Sequence, residues 1–444
     1  MSTFNIFWFR RDLRLQDNAG LYHALKSGVD VKPIFIFDTE ILDKLDDKRD
    51  ARVTFIYETI NKLKTDLEEL GSSLDVYYGN PIDIFKKVAS DSELKSVYTN
   101  SDYERYAISR DSQVKSILAS NDKGFHSFKD QIIFEKGEIL KSDGTPYVVF
   151  TPYKRKWLER LESRKEKDGS GLSYYFKSYP NEKYFENLLS FQGRKVVTLS
   201  EMGFEKADVD FPSQTVSQSK IKKYDEQRNY PAIDGTSKLG IHFRFGTVSI
   251  REKARKAKSL NDIFLSELVW RDFYSMILQH FPKVEDQSFR EKYEAIEWRN
   301  NEKEFEAWCN GQTGYPIVDA GMRELNNTGY MHNRVRMIVA SFLTKHLLID
   351  WRWGERYFAE KLLDYDLASN SGGWQWAAGC GTDAAPYFRI FNPYTQADKF
   401  DKKRQYIKKW VPEEDTDKYV EPIVDHKEAR ERCLATYKKA LNRD

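Results

Sequence analysis

The chain has 444 residues, 40% of them hydrophobic, so it can bury a sizeable core in two domains or in one large domain. Its 71 Lys and Arg nearly balance its 69 Asp and Glu, so the net charge of +2 does not indicate a nucleic-acid partner, and any DNA-binding charge must be local. Three scattered cysteines argue against a disulfide framework or a zinc site, and charges interrupt every apolar stretch, so we expect a cytoplasmic protein without metal or membrane contact.

Short β-rich runs alternate with helical patterns in the first third of the chain. The runs FNIFWF, VKPIFIF, LDVYY and LKSVYT predict strands at residues 4–9, 31–37, 74–78 and 94–99. Apolar residues recur at helical spacing over residues 52–70, and Gly71 closes that helix. Strands that alternate with helices predict a parallel, doubly wound, Rossmann-like sheet, which we assign to an α/β domain over residues 1–130. No G-x-G-x-x-G motif follows the first run, so no dinucleotide is expected there.

The alternation ends after this domain. Gly, Ser, Lys and Pro become frequent, and we interpret residues 131–220 as a connecting segment. Beyond it, segments 264–281 and 331–348 carry apolar residues on more than one face, which is typical of helices inside a large α-domain. We therefore predict a helical domain over residues 221–444.

Two short motifs of this second half allow both a functional and an ordinary interpretation. The stretch TSKLG at 236–240 places two hydroxyls and a base near a predicted helix start, which suits a phosphate, although the motif alone is better explained as an ordinary N-cap. Asp364 and Asp366 are spaced like a general acid and base, although a solvated helix end is the more usual explanation.

One predicted helix carries a mixed set of side chains on a single face. Glu267, Trp270, Arg271 and Tyr274 stand at i, i+3, i+4 and i+7. A carboxyl, an indole and a guanidinium together suit a nucleobase. A surface ion pair beside a core tryptophan explains the same spacing about equally well.

Longer strings resemble the photolyase/cryptochrome family over essentially the whole chain. They are IFWFRRDLRLQDNAGL, YDEQRNYPAIDGTSKLGIHFRFGTVS, LSELVWRDFY, GYPIVDAGMRELNNTGYMHNRVRMIVASF and LDYDLASNSGGWQWAAGCGTDAAPYFRIFNP. The chain is most similar to the microbial class I cyclobutane-dimer photolyases. This resemblance implies an α/β domain followed by an all-α FAD-binding domain, and light-driven repair of cyclobutane pyrimidine dimers by electron transfer from reduced FAD to a flipped-out dimer.

The resemblance also implies which residues hold FAD. The phosphate contacts are Tyr224, Thr236, Ser237, Lys238, Leu239 and Gly240. Asp364 and Asp366 contact the ribityl chain and the ring, Arg336 pairs with Asp364, and Arg271 and Asn370 are further cofactor-binding residues. Lys238 stands where many relatives have Arg, which keeps the charge without the planar fork. Asn370 lies beside flavin N5 in photolyases, whereas plant cryptochromes have an acid there, so this residue favours repair.

The lesion pocket implied by the resemblance consists of Glu267, Trp270, Asn333, Met337 and Trp376. The (6-4) photolyases have histidines at the positions of Asn333 and Met337 to deliver a proton. A cyclobutane dimer needs no such donor, so their absence favours that lesion. His332 is adjacent but points elsewhere on its helix, and we interpret it as a satisfied core or flavin-side residue.

Two further sets complete the expected site. UV-damaged DNA would contact Arg228, Arg334, Arg389 and Gln396. The basic run at 402–409 is better explained as a solvated helix face. Trp298, Trp351 and Trp374 occupy separate segments, and their spacing alone fits three core tryptophans. By resemblance they form the chain of indoles through which the flavin is reduced on illumination.

A second antenna chromophore of folate or deazaflavin type, held by many relatives, stays unassigned here. The folate-binding photolyases typically have Asn-Glu where this chain has Tyr106 and Ala107. We expect a monomer. The alternatives are a cryptochrome-type blue-light photoreceptor with the same flavin photochemistry, and a flavoprotein or DNA-binding module without photochemistry. Asn370 and Trp376 argue against the first, and the retained tryptophans and Glu267 argue against the second.

Overall fold

The computed structural model describes residues 3–166 and 169–441. The N-terminal part contains β1 (Phe4–Phe9), α1 (Ala19–Leu25), β2 (Asp30–Asp38), α2 (Thr39–Leu42), α3 (Ala51–Glu69), β3 (Asp75–Gly79), α4 (Pro81–Ala89), β4 (Leu94–Asn100), α5 (Arg105–Ala119) and β5 (Gly124–Phe128). The remaining α-helices are α6 (Phe150–Glu162), α7 (Gln218–Lys222), α8 (Tyr224–Gln227), α9 (Gly240–Arg244), α10 (Ile250–Leu260), α11 (Asp262–His280), α12 (Glu302–Cys309), α13 (Pro316–Thr328), α14 (Asn333–Ser341), α15 (Trp351–Lys361), α16 (Leu367–Ala378), α17 (Pro393–Phe400), α18 (Gln405–Trp410) and α19 (His426–Ala440).

The five strands form one parallel sheet in the order β3-β2-β1-β4-β5. Helices cover both of its faces. On one side α4 and α5 bury Phe85 and Val114 against the sheet residues Ile6, Trp8 and Ile34. On the other side α1 packs across β1, β4 and β5. The doubly wound sheet predicted from the alternating pattern is confirmed, as are its four predicted strands and the helix α3.

The chain forms two compact units. The first combines residues up to 138 with 157–214 and 239–256 and contains the sheet. The described residues of its segment after α6 form two 3₁₀ turns, at Tyr174–Phe176 and Asn181–Asn187, and no longer helix or strand. The domain boundaries placed at residues 130 and 220 stay a prediction.

The second unit combines residues 139–156 and 215–238 with the chain from 257 onward, and the regular elements among its described residues are helices. Its core is rich in aromatic side chains, among them Trp308, Trp351, Trp374 and Tyr437. The predicted helix at 331–348 is divided into α14 and a π-helical turn at Phe342–His346. Within the described residues, no helix combines the length and apolar character needed to cross a membrane. Nor do those residues contain a group of three or more His, Cys, Asp or Glu side chains able to hold a metal ion.

Candidate functional site

The predicted pocket residues of α11 lie on one face of that helix, and one of them is paired with a residue of the preceding loop. The carboxylate of Glu267 accepts a hydrogen bond from Arg228, directly after α8. Trp270 is half-buried, and its ring lies 5.4 Å from that of Tyr274. The Tyr274 ring packs so closely on Gly372 that a methyl group there would overlap it. Glu267, Trp270 and Tyr274 therefore form a fixed surface, and Arg271 follows Trp270 on the same helix.

Three helices bring the predicted pocket residues into one region, since α16 packs against both α11 and α14. Trp376 lies half-buried on α16. Asn333 and Met337 lie one turn apart on α14, where Asn333 is exposed and Met337 is half-buried. All three are therefore accessible at least in part, as contacts to a substrate require.

The predicted DNA contacts include a group of three arginines. Burial lowers the pKa of Arg334, and the positive charges of Arg228 and Arg389 lower it further. Arg334 donates a 2.8 Å hydrogen bond to Asn229 Oδ1, which fixes its direction. For Arg228, burial alone would lower the pKa, but the carboxylate of Glu267 raises it. The positive charges of Arg228, Arg334 and Arg389 repel one another, and Arg389 is exposed. The cluster is therefore a favourable place for phosphates.

The other predicted DNA contacts are weaker. Gln396 lies half-buried on α17. In the basic run, Arg404 pairs with Glu414, and Lys408 lies 3.2 Å from Asp415. Neighbouring carboxylates thus neutralise two of the five cations, which supports interpreting the run as a solvated face.

Arg336 and Asp364, predicted to form a pair at the flavin, are joined by a 3.0 Å hydrogen bond. Arg336 also donates to the carbonyl of Met331 at 2.7 Å. The second carboxylate oxygen of Asp364, Oδ1, is buried without a hydrogen-bond partner among the described residues. Because a buried acceptor without a donor is costly, this atom fits a ligand that presents hydroxyl or N–H groups, as FAD does through its ribityl chain and ring.

Asp366 has a structural role that its spacing from Asp364 does not reveal. It is the N-cap of α16, and its side chain accepts a 3.1 Å hydrogen bond from the backbone N–H of Ser369. The two aspartates therefore have different roles: Asp364 pairs with Arg336, and Asp366 caps the N-terminus of α16.

Asn370 is held by a residue that the sequence did not single out. Its amide nitrogen donates to the backbone carbonyl of Glu355 at 3.0 Å and to Glu355 Oε1 at 2.9 Å. Burial raises the pKa of Glu355. Because both amide hydrogens of Asn370 are engaged, the direction of its carbonyl oxygen is fixed.

The TSKLG stretch adopts an irregular turn just before α9. Lys238 has φ 52°, in the left-handed region, and its side chain is exposed. Its ammonium lies 5.4 Å from the ring centroid of Tyr330, whose hydroxyl is 3.1 Å from Thr236 Oγ1. Ser237 lies between them, Leu239 is buried, and Gly240 is the first residue of α9, so the predicted helix start is confirmed. Thr236 and Lys238 also line a cavity of about 300 Å³.

Two residues near this turn complete the expected flavin environment. The ring of Tyr224 contacts Phe264 at 5.0 Å, and burial together with Glu267 raises its pKa. His332 is the N-cap of α14, with Nδ1 accepting from the N–H of Arg334 at 3.1 Å. Its Nε2 is buried without a partner among the described residues, so the structure does not bear out a satisfied core histidine, and the flavin-side alternative stays a prediction. Burial and nearby arginines lower its pKa to about 4.

The three predicted electron-transfer tryptophans share one hydrophobic core. Trp351 and Trp374 are core members, and Trp298 packs against the same core from a half-buried position. The indole N–H groups of Trp351 and Trp374 are buried without an acceptor among the described residues. The ring of Trp374 contacts Trp308, at a centroid distance of 6.0 Å, and it lies so close to Gly354 that any side chain there would displace it.

In the first unit, Tyr106, one of the two residues that break the folate pattern, is paired with an aspartate. The Tyr106 hydroxyl donates a 2.6 Å hydrogen bond to Asp38 Oδ2 at the end of β2, and Arg110 lies 3.7 Å from the same carboxylate. The basic residues of the FRRDLR run are also paired within this unit, Arg11 with Glu104 and Arg14 with Asp130.

Comparisons with known proteins show which proteins this chain is similar to. A family model described as DNA photolyase matches residues 5–169, and one described as the FAD binding domain of DNA photolyase matches residues 264–416. The deoxyribodipyrimidine photo-lyase of Halobacterium salinarum is 36% identical over 98% of this chain and 99% of its own length. A class III photolyase from Agrobacterium tumefaciens has a similar structure, with TM-score 0.85, 32% identity and coverage of 100% of this chain and 98% of that one. An archaeal photolyase from Sulfolobus tokodaii, crystallised with two FAD molecules, gives TM-score 0.80 and 33% identity over 98% of this chain and all of that one.

Proposed function

The chain belongs to the DNA photolyase family, and we propose that it repairs UV-damaged DNA by light-driven splitting of cyclobutane pyrimidine dimers. Bound FAD supplies the light-driven electron that this reaction needs. The residues of the chain then have three tasks: to hold the flavin, to receive a dimer extruded from the duplex, and to anchor the DNA around it.

One observation carries this proposal: Glu267 and Trp270 share a face of α11, and Glu267 is joined to Arg228 of the arginine cluster. A half-buried indole can stack on a flipped base. A fixed carboxylate beside it can accept hydrogen bonds from pyrimidine N–H groups or steady charge on a carbonyl. Arg228, Arg334 and Arg389 supply the positive rim for the phosphates, with Gln396 at its edge.

The same fold supports a role for Trp374, Trp351 and Trp298 in reducing the flavin on illumination. An indole that loses an electron becomes acidic at its N–H. Because the N–H groups of Trp351 and Trp374 have no acceptor among the described residues, the protein offers no local route for that proton. Half-buried Trp298 can release its proton to water. We propose that this difference in proton release favours oxidation of Trp298 over oxidation of Trp351 and Trp374, so that the electron vacancy moves from the core towards the surface.

We further propose that the protein acts as a monomer in the cytoplasm. The three cysteines are free and buried, as in a reducing compartment. A second antenna chromophore stays unassigned. The hydrogen bond from Tyr106 engages the Asp38 carboxylate, and this pairing favours no particular antenna.

Purified, reduced protein illuminated with thymine-dimer DNA tests the proposal. We expect loss of dimers in the light and none in the dark. A protein that keeps its flavin and its light-driven redox change without removing dimers would instead be a blue-light photoreceptor.

A further inference from the structure

Phe150 lies flat against Trp270. The two ring centroids are 3.6 Å apart, and the ring planes differ by only 6°. Phe150 is 7% exposed, whereas Trp270 is half-buried. A face covered at van der Waals distance is closed to any other ring, so a nucleobase can stack only on the opposite face of Trp270.

We propose that Phe150 is a positioning residue for the lesion, which it serves by fixing the plane of Trp270. This inference rests on the proposed function, because it assumes that Trp270 is the surface on which a flipped dimer stacks. Phe150 itself need not touch DNA.

The surroundings of Phe150 hold it rigidly enough for this role. Its backbone N–H donates a 3.2 Å hydrogen bond to Asp383 Oδ2. Its ring meets that of Phe273 edge-on at 5.8 Å, and Phe273 in turn meets Trp270 edge-on at 5.6 Å. Phe273 is fully buried. Trp270 is therefore confined by a flat contact on one face and an edge contact beside it.

Fixing the orientation of the Trp270 indole should affect the affinity for damaged DNA more than the rate of the repair reaction. A free tryptophan side chain would lose rotational freedom when a base stacks on it, and this loss would weaken the complex. A ring that already has its bound orientation avoids that loss. The stack should therefore increase affinity for dimer-containing DNA and leave the rate of repair of the bound dimer almost unchanged.

The test compares Phe150→Leu, which keeps apolar volume without a flat ring, with Phe150→Tyr, which keeps the ring. Affinity for dimer-containing DNA is measured in the dark, and flavin content and repair at saturating DNA are measured alongside. We expect Phe150→Leu to weaken dimer binding by roughly tenfold, the scale of one aromatic contact. Phe150→Tyr should bind within about twofold of the parent, since its ring is retained. Val149→Ala, at an exposed neighbouring position, is the control.

Unchanged dimer affinity in Phe150→Leu would overturn the inference. So would an equal loss of flavin, of affinity for undamaged DNA and of dimer binding, because that pattern indicates general packing. Light-dependent repair by the parent tests the proposed function separately, so the two failures can be distinguished.

Discussion

The carboxylate of Glu267 accepts a hydrogen bond from the guanidinium of Arg228, so the acid of the proposed pocket and a cation of the proposed DNA rim are one ion pair. Substituting either side chain therefore changes the electrostatic environment of the other. Removing the acid leaves a partly buried arginine with its full positive charge in the proposed DNA-binding rim.

Glu267→Ala should therefore separate repair from DNA binding. We expect the repair rate at saturating dimer DNA to fall by roughly ten- to a hundredfold, the scale of about 1.5–3 kcal/mol for a hydrogen bond to a charged group. Affinity for undamaged DNA should rise, because Arg228 is no longer neutralised. Glu413→Ala removes a comparable ion pair with Arg323 elsewhere and serves as the control. A variant that repairs as fast as the parent would remove Glu267 from the site.

The arginine cluster predicts a specific salt dependence. Arg389→Ala should lower the slope of log affinity against log salt by about 0.9, the contribution of one phosphate contact, on damaged and undamaged DNA alike. Lys408→Ala, which removes a cation already paired with Asp415, should leave the slope unchanged. Equal slopes for the parent and Arg389→Ala would show that this residue makes no phosphate contact.

Asp364 and Asp366 should respond differently to substitution. Asp364→Asn keeps the shape but loses the charge that pairs with Arg336, so we expect FAD to bind at least about tenfold more weakly, the effect of roughly 1.4 kcal/mol. Asp366→Ala removes the N-cap of α16 and should lower the free energy of unfolding by about 1 kcal/mol even without FAD. Titration with FAD and urea unfolding distinguish the two. An Asp364→Asn protein with parental FAD affinity would contradict the assignment.

Much of the fold could be predicted from the sequence because its signals are local. The strands β1, β2, β3 and β4 are dense in apolar and β-branched residues and are bounded by polar ones. The strand β5 was not predicted, since GFHSF at the edge of the sheet is only half-buried and lacks such a run. The π-helical turn after α14 was missed because apolar periodicity does not distinguish it from continued α-helix.

The site residues were predicted less completely than the fold, because their contacts join residues that are far apart in the sequence. Long motifs indicated Glu267, Trp270 and Asn370, but nothing near them in sequence points to Phe150 or Glu355, which hold two of them. The spacing of Asp364 and Asp366 left both carboxylate chemistry and a helix end open, and the fold gives each residue a different partner. A resemblance can name a residue, but only the folded chain shows what orients it.

His332 predicts a loss of stability in acid. Its pKa in the folded protein is lowered to about 4, below the ordinary value of 6.5. Between these two pH values the imidazole is protonated in the unfolded chain but not in the folded chain. As pH falls from 6.5 towards 4, this residue should lower the free energy of unfolding by up to about 1.4 kcal/mol per pH unit.

His332→Asn tests this point, because Asn retains the ability to cap α14 but does not titrate. Urea unfolding at pH 7 and pH 5 should show a smaller acid-induced loss for the variant than for the parent. His126→Asn, at an exposed position on β5, should behave like the parent. A parent and a His332→Asn variant with identical pH dependence would rule out this contribution.

Trp374→Phe should slow flavin photoreduction by more than about tenfold, since removing one indole interrupts stepwise transfer through a core that otherwise keeps its packing. Trp308→Phe is the matched control: it is equally buried and touches Trp374, but its N–H donates to the carbonyl of Val339. Absorbance changes under blue light with an external reductant measure both. Parental photoreduction in Trp374→Phe would exclude this residue from the path.

Dimer repair itself is tested by counting thymine dimers in DNA after illumination with reduced protein. We predict that each protein molecule removes more than one dimer in the light and none in the dark, and that Glu267→Ala removes far fewer under the same illumination. Dimer counts that stay constant in the light, with flavin bound and DNA saturating, would exclude repair of cyclobutane dimers by this protein.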